Sequence, residues 1–559
     1  PTTIDVFYTD ANGSLVTPEK LDYGKGYSIV EVQAPYGYVL DDTPVYFDIT
    51  EENSTEEGGI TVVKVNKPNM AQKGTVTVEK TGEVFSGVNV SGSEDSDVIY
   101  QPVYEVAGLE GAVYEVRAAE DISTPDGTLR YSKGEVVDTI TTSSDGFVKS
   151  KELYLGKYEV KEITAPDGMV ISGETHTVEL TYAGQNISVT ETSTSFYNER
   201  QKVQVSLAKV IEKDKTFGIG DNGEIKNISF GLYAAEDIVS ASGTVIPADG
   251  LIEIVSVNEN GTAVMKSDLP FGKYYVKEIA TDEHYVLNGE KYLVNFEYMG
   301  QDIQTVSIDC GQFTNDLKRG KIEGIKVSES DEPLENALFG LFYTDCTEFT
   351  EENAIMTAKS DKQGKFEFTE IPYGEYIVCE IEAPTGYILS DESYPVTISE
   401  DGEIIEIIAV NKPITVEISK QDVYGNELAG AEMQLENSDG EVVDKWTSDG
   451  TNHVVTELPA GGYTLKEIAA PDGYVIATDI RFTVDVYGKI TVENVDATAV
   501  SENGNSLIVM VDEAEKISDV PDTPYTGDNH SNFAAYAMLG AASLIIAVLI
   551  ITKKGKKRE

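Results

Sequence analysis

Tyr463 to Val475 reads YTLKEIAAPDGYV, and four further stretches repeat its pattern: YSIVEVQAPYGYV from Tyr27, YEVKEITAPDGMV from Tyr158, YYVKEIATDEHYV from Tyr274 and YIVCEIEAPTGYI from Tyr376. Five copies spaced by roughly a hundred residues restrict the chain to an array of similar domains, because a repeat of this period is one structural unit used again. Each copy has the form Tyr-x-apolar-x-Glu. Side chains alternate between the faces of a strand, so the Tyr, the apolar residue and the Glu share one face. The Tyr and its apolar partner mark that face as the core side, which aims Glu31, Glu162, Glu278, Glu380 and Glu467 into a core. A buried carboxylate is costly unless it is paired, protonated or put to use. One glutamate at a strand end can escape to water. Five in the same phase point to a common partner.

Between these motifs run short alternating segments bounded by Gly, Asn, Asp and Pro, with no helical apolar stripe before the C-terminal end. Evenly spaced short strands with turn signals predict an all-β chain of tandem, immunoglobulin-like β-sandwich domains. The repeats place the units at 1–71 (incomplete, its opening strand missing), 72–201 (with an insertion from Gly82 to Leu109), 202–318, 319–413 and 414–516, followed by a tail at 517–559. Connections such as Asn411 to Ile414 are so short that a stiff rod is expected. The chain begins at Pro1 without Met or an apolar leader, so it reads as a piece of a longer precursor.

The opening strands carry a second in-phase charge. Val76, Val78 and Lys80 share a face, as do Val205, Leu207 and Lys209, and Val416, Ile418 and Lys420; Ile322, Gly324 and Lys326 follow with a weaker pattern. A single lysine of this kind can send its head to the sheet edge. Each unit also ends on an Asn or Asp: Asn66, Asn198, Asn315, Asn411 and Asp512.

With Lys, Glu and Asn recurring in this order, the chain resembles the Cna B-type (SpaA-like) repeat domains of Gram-positive surface proteins and pilins. The resemblance covers almost everything before the tail. It implies a spontaneous isopeptide bond between the Lys and the Asn or Asp of each domain, promoted by the Glu of the Tyr motif. The implied trios are Lys80, Glu162 and Asn198; Lys209, Glu278 and Asn315; Lys326, Glu380 and Asn411; and Lys420, Glu467 and Asp512. The first unit has Glu31 and Asn66 but no lysine partner. The third motif, ATDEHY, lacks the Pro and Gly of the others, and the second has Met169 where Tyr is usual.

In the tail, Thr523, Pro524, Tyr525, Thr526 and Gly527 resemble a sortase sorting motif with Thr523 in place of the usual Leu. An apolar stretch over 533–552 follows, then a basic end, KKGKKRE. A run of that length predicts one transmembrane helix with its basic end in the cytoplasm; a buried helix is the alternative. The resemblance implies cleavage by a partner sortase between Thr526 and Gly527. The Thr carboxyl would then pass to a peptidoglycan precursor or a pilin lysine, so the membrane is met only through a transient helix.

Composition narrows the remaining classes. The net charge of −55 argues against nucleic acid as a partner, since phosphate binding needs clustered Lys and Arg. Cys310, Cys346 and Cys379 form neither a metal motif nor a disulfide framework. No nucleophile–His pair, calcium loop or cofactor motif is present, so no enzyme and no cofactor is expected. Acidic runs such as Ser93 to Asp97 read as solvated loops. The expectation is a cell-wall-anchored surface protein on the outside of a Gram-positive bacterium, its braced repeats forming an adhesin stalk. The alternative is a sortase-polymerised pilin subunit, for which the usual Tyr-Pro-Lys tripeptide does not occur. No motif names a host ligand; the Gly82 to Leu109 insertion is the one segment marked for adhesion.

Overall fold

The computed structural model describes residues 2–52, 55–57, 60–93, 97–493, 498–500 and 505–515 of the chain. The Thr523–Gly527 motif and the apolar run at 533–552 lie outside the described residues. The chain divides into two compact units, Pro1–Pro413 and Ile414–Glu559. Among the described residues all regular structure is strand except one short 3-10 turn, Glu224–Asn227.

The third repeat shows the plan. Its opening strand, Lys202–Ile211, runs parallel to its closing strand, Thr305–Asn315, and antiparallel to Thr262–Val264. A second sheet faces this one, in the order Leu251–Ser256, Ser229–Ala234, Gly272–Ala280, Lys291–Phe296. Val205, Leu207 and Phe313 from the first sheet meet Phe230, Leu232, Val276 and Phe296 from the second in a closed core. Along Gly272–Ala280 the in-phase residues Tyr274, Val276 and Glu278 are inside as the sequence demands, and Tyr275 on the opposite face is buried as well. The fourth repeat keeps both sheets, with Arg319–Ser328 parallel to Ile404–Asn411. So does the unit that begins at Ile414, where Val416–Asp422 lies parallel to Ser506–Asp512.

The motif tyrosine does more than fill space. Tyr158, Tyr274, Tyr376 and Tyr463 each donate a hydrogen bond to the backbone carbonyl four residues upstream; for Tyr274 the acceptor is Pro270 O at 2.5 Å. The ring is buried while its hydroxyl is satisfied, which is how a core tolerates tyrosine.

Two features depart from the sequence expectation. The opening strand of the second repeat does not stop at Lys80: it runs unbroken over Lys73–Ser91 and returns as Ile99–Gly108. The insertion is therefore a long hairpin, and it lies against the third repeat. Ile99 pairs in parallel with Leu251, Phe85 O accepts from Ala241 N at 2.9 Å, and Phe85, Val88 and Tyr100 pack on the third core. Arg200 fastens its base, stacked 3.7 Å over the Tyr104 ring and ion-paired to Asp268. In the first repeat, Gly24–Ile29 pairs with Val45–Ile49, and Tyr38–Val39 with Met70–Ala71.

Candidate functional site

Register explains why the same three side chains meet in every complete repeat. The opening and closing strands are parallel and paired Lys80 to Phe196, Lys209 to Phe313, Lys326 to Ala409 and Lys420 to Met510. The Asn or Asp lies two positions beyond the partner of the lysine, so it shares the lysine's inward face. The glutamate arrives from the facing sheet. Directly after Glu162, Glu278, Glu380 and Glu467 the pairing with the neighbouring strand slips at a bulge. A bulge bends a strand and re-aims its side chains, and here it follows the carboxylate at the point where the strand leaves the sheet.

In the second repeat Lys80 Nζ lies 2.9 Å from Glu162 Oε1, and Asn198 Nδ2 donates to both Glu162 oxygens at 3.0 Å. In the third, Lys209 Nζ donates to Glu278 Oε2 at 2.8 Å and to Asn315 Oδ1 at 2.5 Å, while Asn315 Nδ2 donates to Glu278 Oε1 at 2.6 Å. In the fourth, Lys326 Nζ donates to Asn411 Oδ1 and lies 3.5 Å from Glu380 Oε1, and Asn411 Nδ2 donates to both Glu380 oxygens. In the fifth, Lys420 Nζ bonds Asp512 Oδ1 and lies 3.2 Å from Glu467 Oε1. All twelve residues are buried.

Burial also sets their charge. It pushes the amines of Lys80, Lys209 and Lys326 below the usual lysine range, against the opposing pull of their glutamates. It pushes Glu380 above the usual carboxylate range, with Lys326 opposing. Asp512 is raised to about 6, chiefly by burial, with Lys420 lowering it and Glu467 adding to the rise. In a dry core a neutral amine beside a protonated carboxyl replaces the ion pair that water would favour. Lys80 Nζ and Asn198 Oδ1 are buried without hydrogen-bond partners, as are Glu467 Oε1 and Asp512 Oδ2. Each of these atoms belongs to the lysine, the Asn or Asp, or the glutamate of a trio.

The carboxylate is held from outside the trio as well. Glu162, Glu380 and Glu467 each accept a backbone N–H from the residue ten positions on, Ser172, Ser390 and Ala477. The third repeat differs: Thr281 Oγ1 accepts from Asn315 Nδ2 at 2.7 Å. Thr281 stands in the aberrant ATDEHY turn, so that turn still contributes a polar contact to the trio.

The first repeat requires a correction. Glu31 meets Asn69, not Asn66. Asn69 Nδ2 donates to Glu31 Oε2 at 2.7 Å and Asp41 N donates to the same oxygen, whereas Asn66 is exposed. The signal was present: NMAQK from Asn69 matches NERQK from Asn198. Asn66 ends the last strand-like run of that unit, three residues short of the one the fold uses.

Comparison with known proteins follows the repeat. A model of the SpaA prealbumin-like fold domain matches at 2–64, 104–195, 212–309, 320–413 and 414–498, well over half of the chain. Among curated relatives, the trypsin-resistant surface T6 protein of Streptococcus pyogenes serotype M6 is 24% identical over 219 residues, 38% of each chain. The serine-aspartate repeat-containing protein D of Staphylococcus aureus strain Newman is 23% identical over 330 residues, 54% of this chain and 24% of that protein. The chain thus spans well under half the length of either relative. Among solved structures, the Bacillus anthracis TIE protein aligns over 61% of this chain and 51% of its own with a TM-score of 0.42 and 24% identity.

Proposed function

The chain belongs to the SpaA prealbumin-like domain family, and from that premise we propose that it is a cell-wall-anchored surface protein of a Gram-positive bacterium, its repeats braced by internal isopeptide bonds into an adhesin stalk. The observation that carries this reading is the convergence of Lys, Glu and Asn or Asp in four buried trios, each joining an opening strand to a closing strand.

The chemistry proposed for each trio follows from who touches whom. The lysine is neutral because it is buried, and a neutral amine is a nucleophile. Its Nζ attacks Cγ of the Asn or Asp, forming the C–N bond. In the three Asn trios the glutamate contacts the Asn Nδ2, the atom that must leave. It gives a proton to Nδ2 and takes in exchange the one that Nζ sheds, and the C–Nδ2 bond breaks with loss of ammonia. With Asp512 the same transfer releases water. Contact within the fold supplies the effective concentration that lets an otherwise slow acyl transfer run once per molecule. The product ties the two terminal strands of a domain together, so tension on the chain ends cannot peel them apart.

Anchoring is proposed on the sequence of the tail: a sortase substrate motif at Thr523–Gly527, an apolar stop and a basic end. The partners are then a sortase and the amine of a peptidoglycan precursor or pilin. The domain limits proposed are 1–71, 72–201, 202–318, 319–413 and 414–516, and one trio within each of the last four supports them.

The test is the intact mass of the purified chain, with and without Glu→Ala at each motif. Loss of three ammonias and one water, each restored by its own substitution, is the expected result. A mass equal to that of the sequence overturns the braced stalk.

A further inference from the structure

The boundaries between the first three repeats are built from one set of contacts used twice, and none of them belongs to the trios. At the first boundary the loop Tyr182-Ala183-Gly184-Gln185 of the second repeat docks on the Ala34–Gly37 turn of the first. Gln185 Oε1 accepts from Ala34 N at 2.8 Å, and Gln185 O accepts from Leu40 N at 2.9 Å. At the second boundary the loop Tyr298-Met299-Gly300-Gln301 repeats this on the Ala165–Gly168 turn. Gln301 Oε1 accepts from Ala165 N at 2.9 Å, and Gln301 O accepts from Ile171 N at 3.0 Å.

A second glutamine closes each joint from the chain between the domains. Gln72 Nε2 donates to Gly184 O and Ile187 O while its Oε1 accepts from Ala183 N. Gln201 does the same with Gly300 O, Ile303 O and Met299 N. Both glutamines are 1% exposed and use donor and acceptor alike. Gly184 and Gly300 sit at φ of 98° and 101° with open space where a Cβ would stand, so the loop needs glycine for its backbone conformation and not for room.

We infer that the Tyr-x-Gly-Gln loop and the Ala-Pro-x-Gly turn are a matched interaction surface, an interdomain coupling in which the loop of each following repeat reads the turn of the one before it. The third boundary supplies the contrast. There the turn reads Thr281-Asp282-Glu283-His284, Lys318 stands at the position of Gln72 and Gln201, and the loop of the following repeat, Glu400-Asp401-Gly402-Glu403, keeps the glycine but has Glu400 and Glu403 where the other loops have Tyr and Gln. Turn and loop have departed together, and the joint is held instead by Arg319, which donates to Glu212 and Asp214.

The coupling is tested by amide hydrogen exchange on the full chain carrying Gln301→Ala. Ile171 N keeps its acceptor in this variant, because that acceptor is the backbone carbonyl. If the side chain holds the joint shut, Ile171 exchanges faster by about tenfold, while amides of the second core such as Val160 and the intact mass are unchanged. Unchanged exchange at Ile171 overturns the inference. Should the whole third repeat exchange faster, Gln185→Ala read at Leu40 decides by the same two outcomes. The intact mass reports the isopeptide reading separately, so the two can fail independently.

Discussion

Lys209 Nζ stands 2.5 Å from Asn315 Oδ1 across two parallel strands, with Glu278 Oε2 2.8 Å from the same amine and all three residues buried. That arrangement places the three groups proposed as nucleophile, acceptor and proton carrier within single hydrogen bonds of one another.

Removing the carrier has two separable consequences. Glu278→Ala is expected to leave the third repeat without its cross-link and with a buried amine short of a hydrogen-bond partner, at a cost of about 1–3 kcal/mol beyond the lost bond. Lys209→Met also prevents the bond but leaves no unsatisfied amine. Mass spectrometry should show both uncrosslinked, and urea denaturation should rank Lys209→Met above Glu278→Ala.

The fifth repeat should respond to pH differently from the others. Its acceptor is a carboxyl, Asp512, which must carry a proton to leave as water, whereas the amide of an Asn trio has no such requirement. The folded-state value of Asp512 is raised to about 6. A raised carboxyl favours the fold below its unfolded value and loses that advantage as pH climbs through the folded value. Refolded chain followed by mass should lose water quickly near pH 5 and slowly near pH 8. Asp512→Asn, which loses ammonia instead, should abolish this dependence.

The motif tyrosines carry a stability role that can be isolated. Tyr274→Phe keeps the ring and removes the donor to Pro270 O. A buried carbonyl left unsatisfied costs about 1–3 kcal/mol. The loss is expected in denaturant titrations, with the ammonia loss of that domain intact.

Arg200→Ala should loosen the hairpin of the second repeat from the third. The guanidinium is buried against Tyr104, and its carboxylate partners Glu83 and Asp268 are partly exposed. An effect of about 1–3 kcal/mol is expected, from lost cation–π contact and screened ion pairing. Arg200→Lys should recover little of it, since lysine cannot stack as guanidinium does. Limited proteolysis within the Gly82 to Leu109 segment reads the outcome.

The sequence by itself determined the repeat, the all-strand character and the inward phase of Tyr, Glu and Lys, because alternation along a strand is local: residues two apart share a face whatever the rest of the chain does. Lys80 and Glu162 could therefore be placed inward without a structure, while Asn198 is named as their partner through the family resemblance. Only the tertiary structure decided that opening and closing strands run parallel, that Glu31 takes Asn69 and not Asn66, and that the Gly82 to Leu109 segment is a hairpin against the next repeat. It also decided that Gln72 and Gln201 are joint residues. Each of these depends on pairing between residues far apart in the chain. Register across such pairs is set by bulges, by turn geometry and by packing against a neighbouring domain, none of which leaves a period in the sequence.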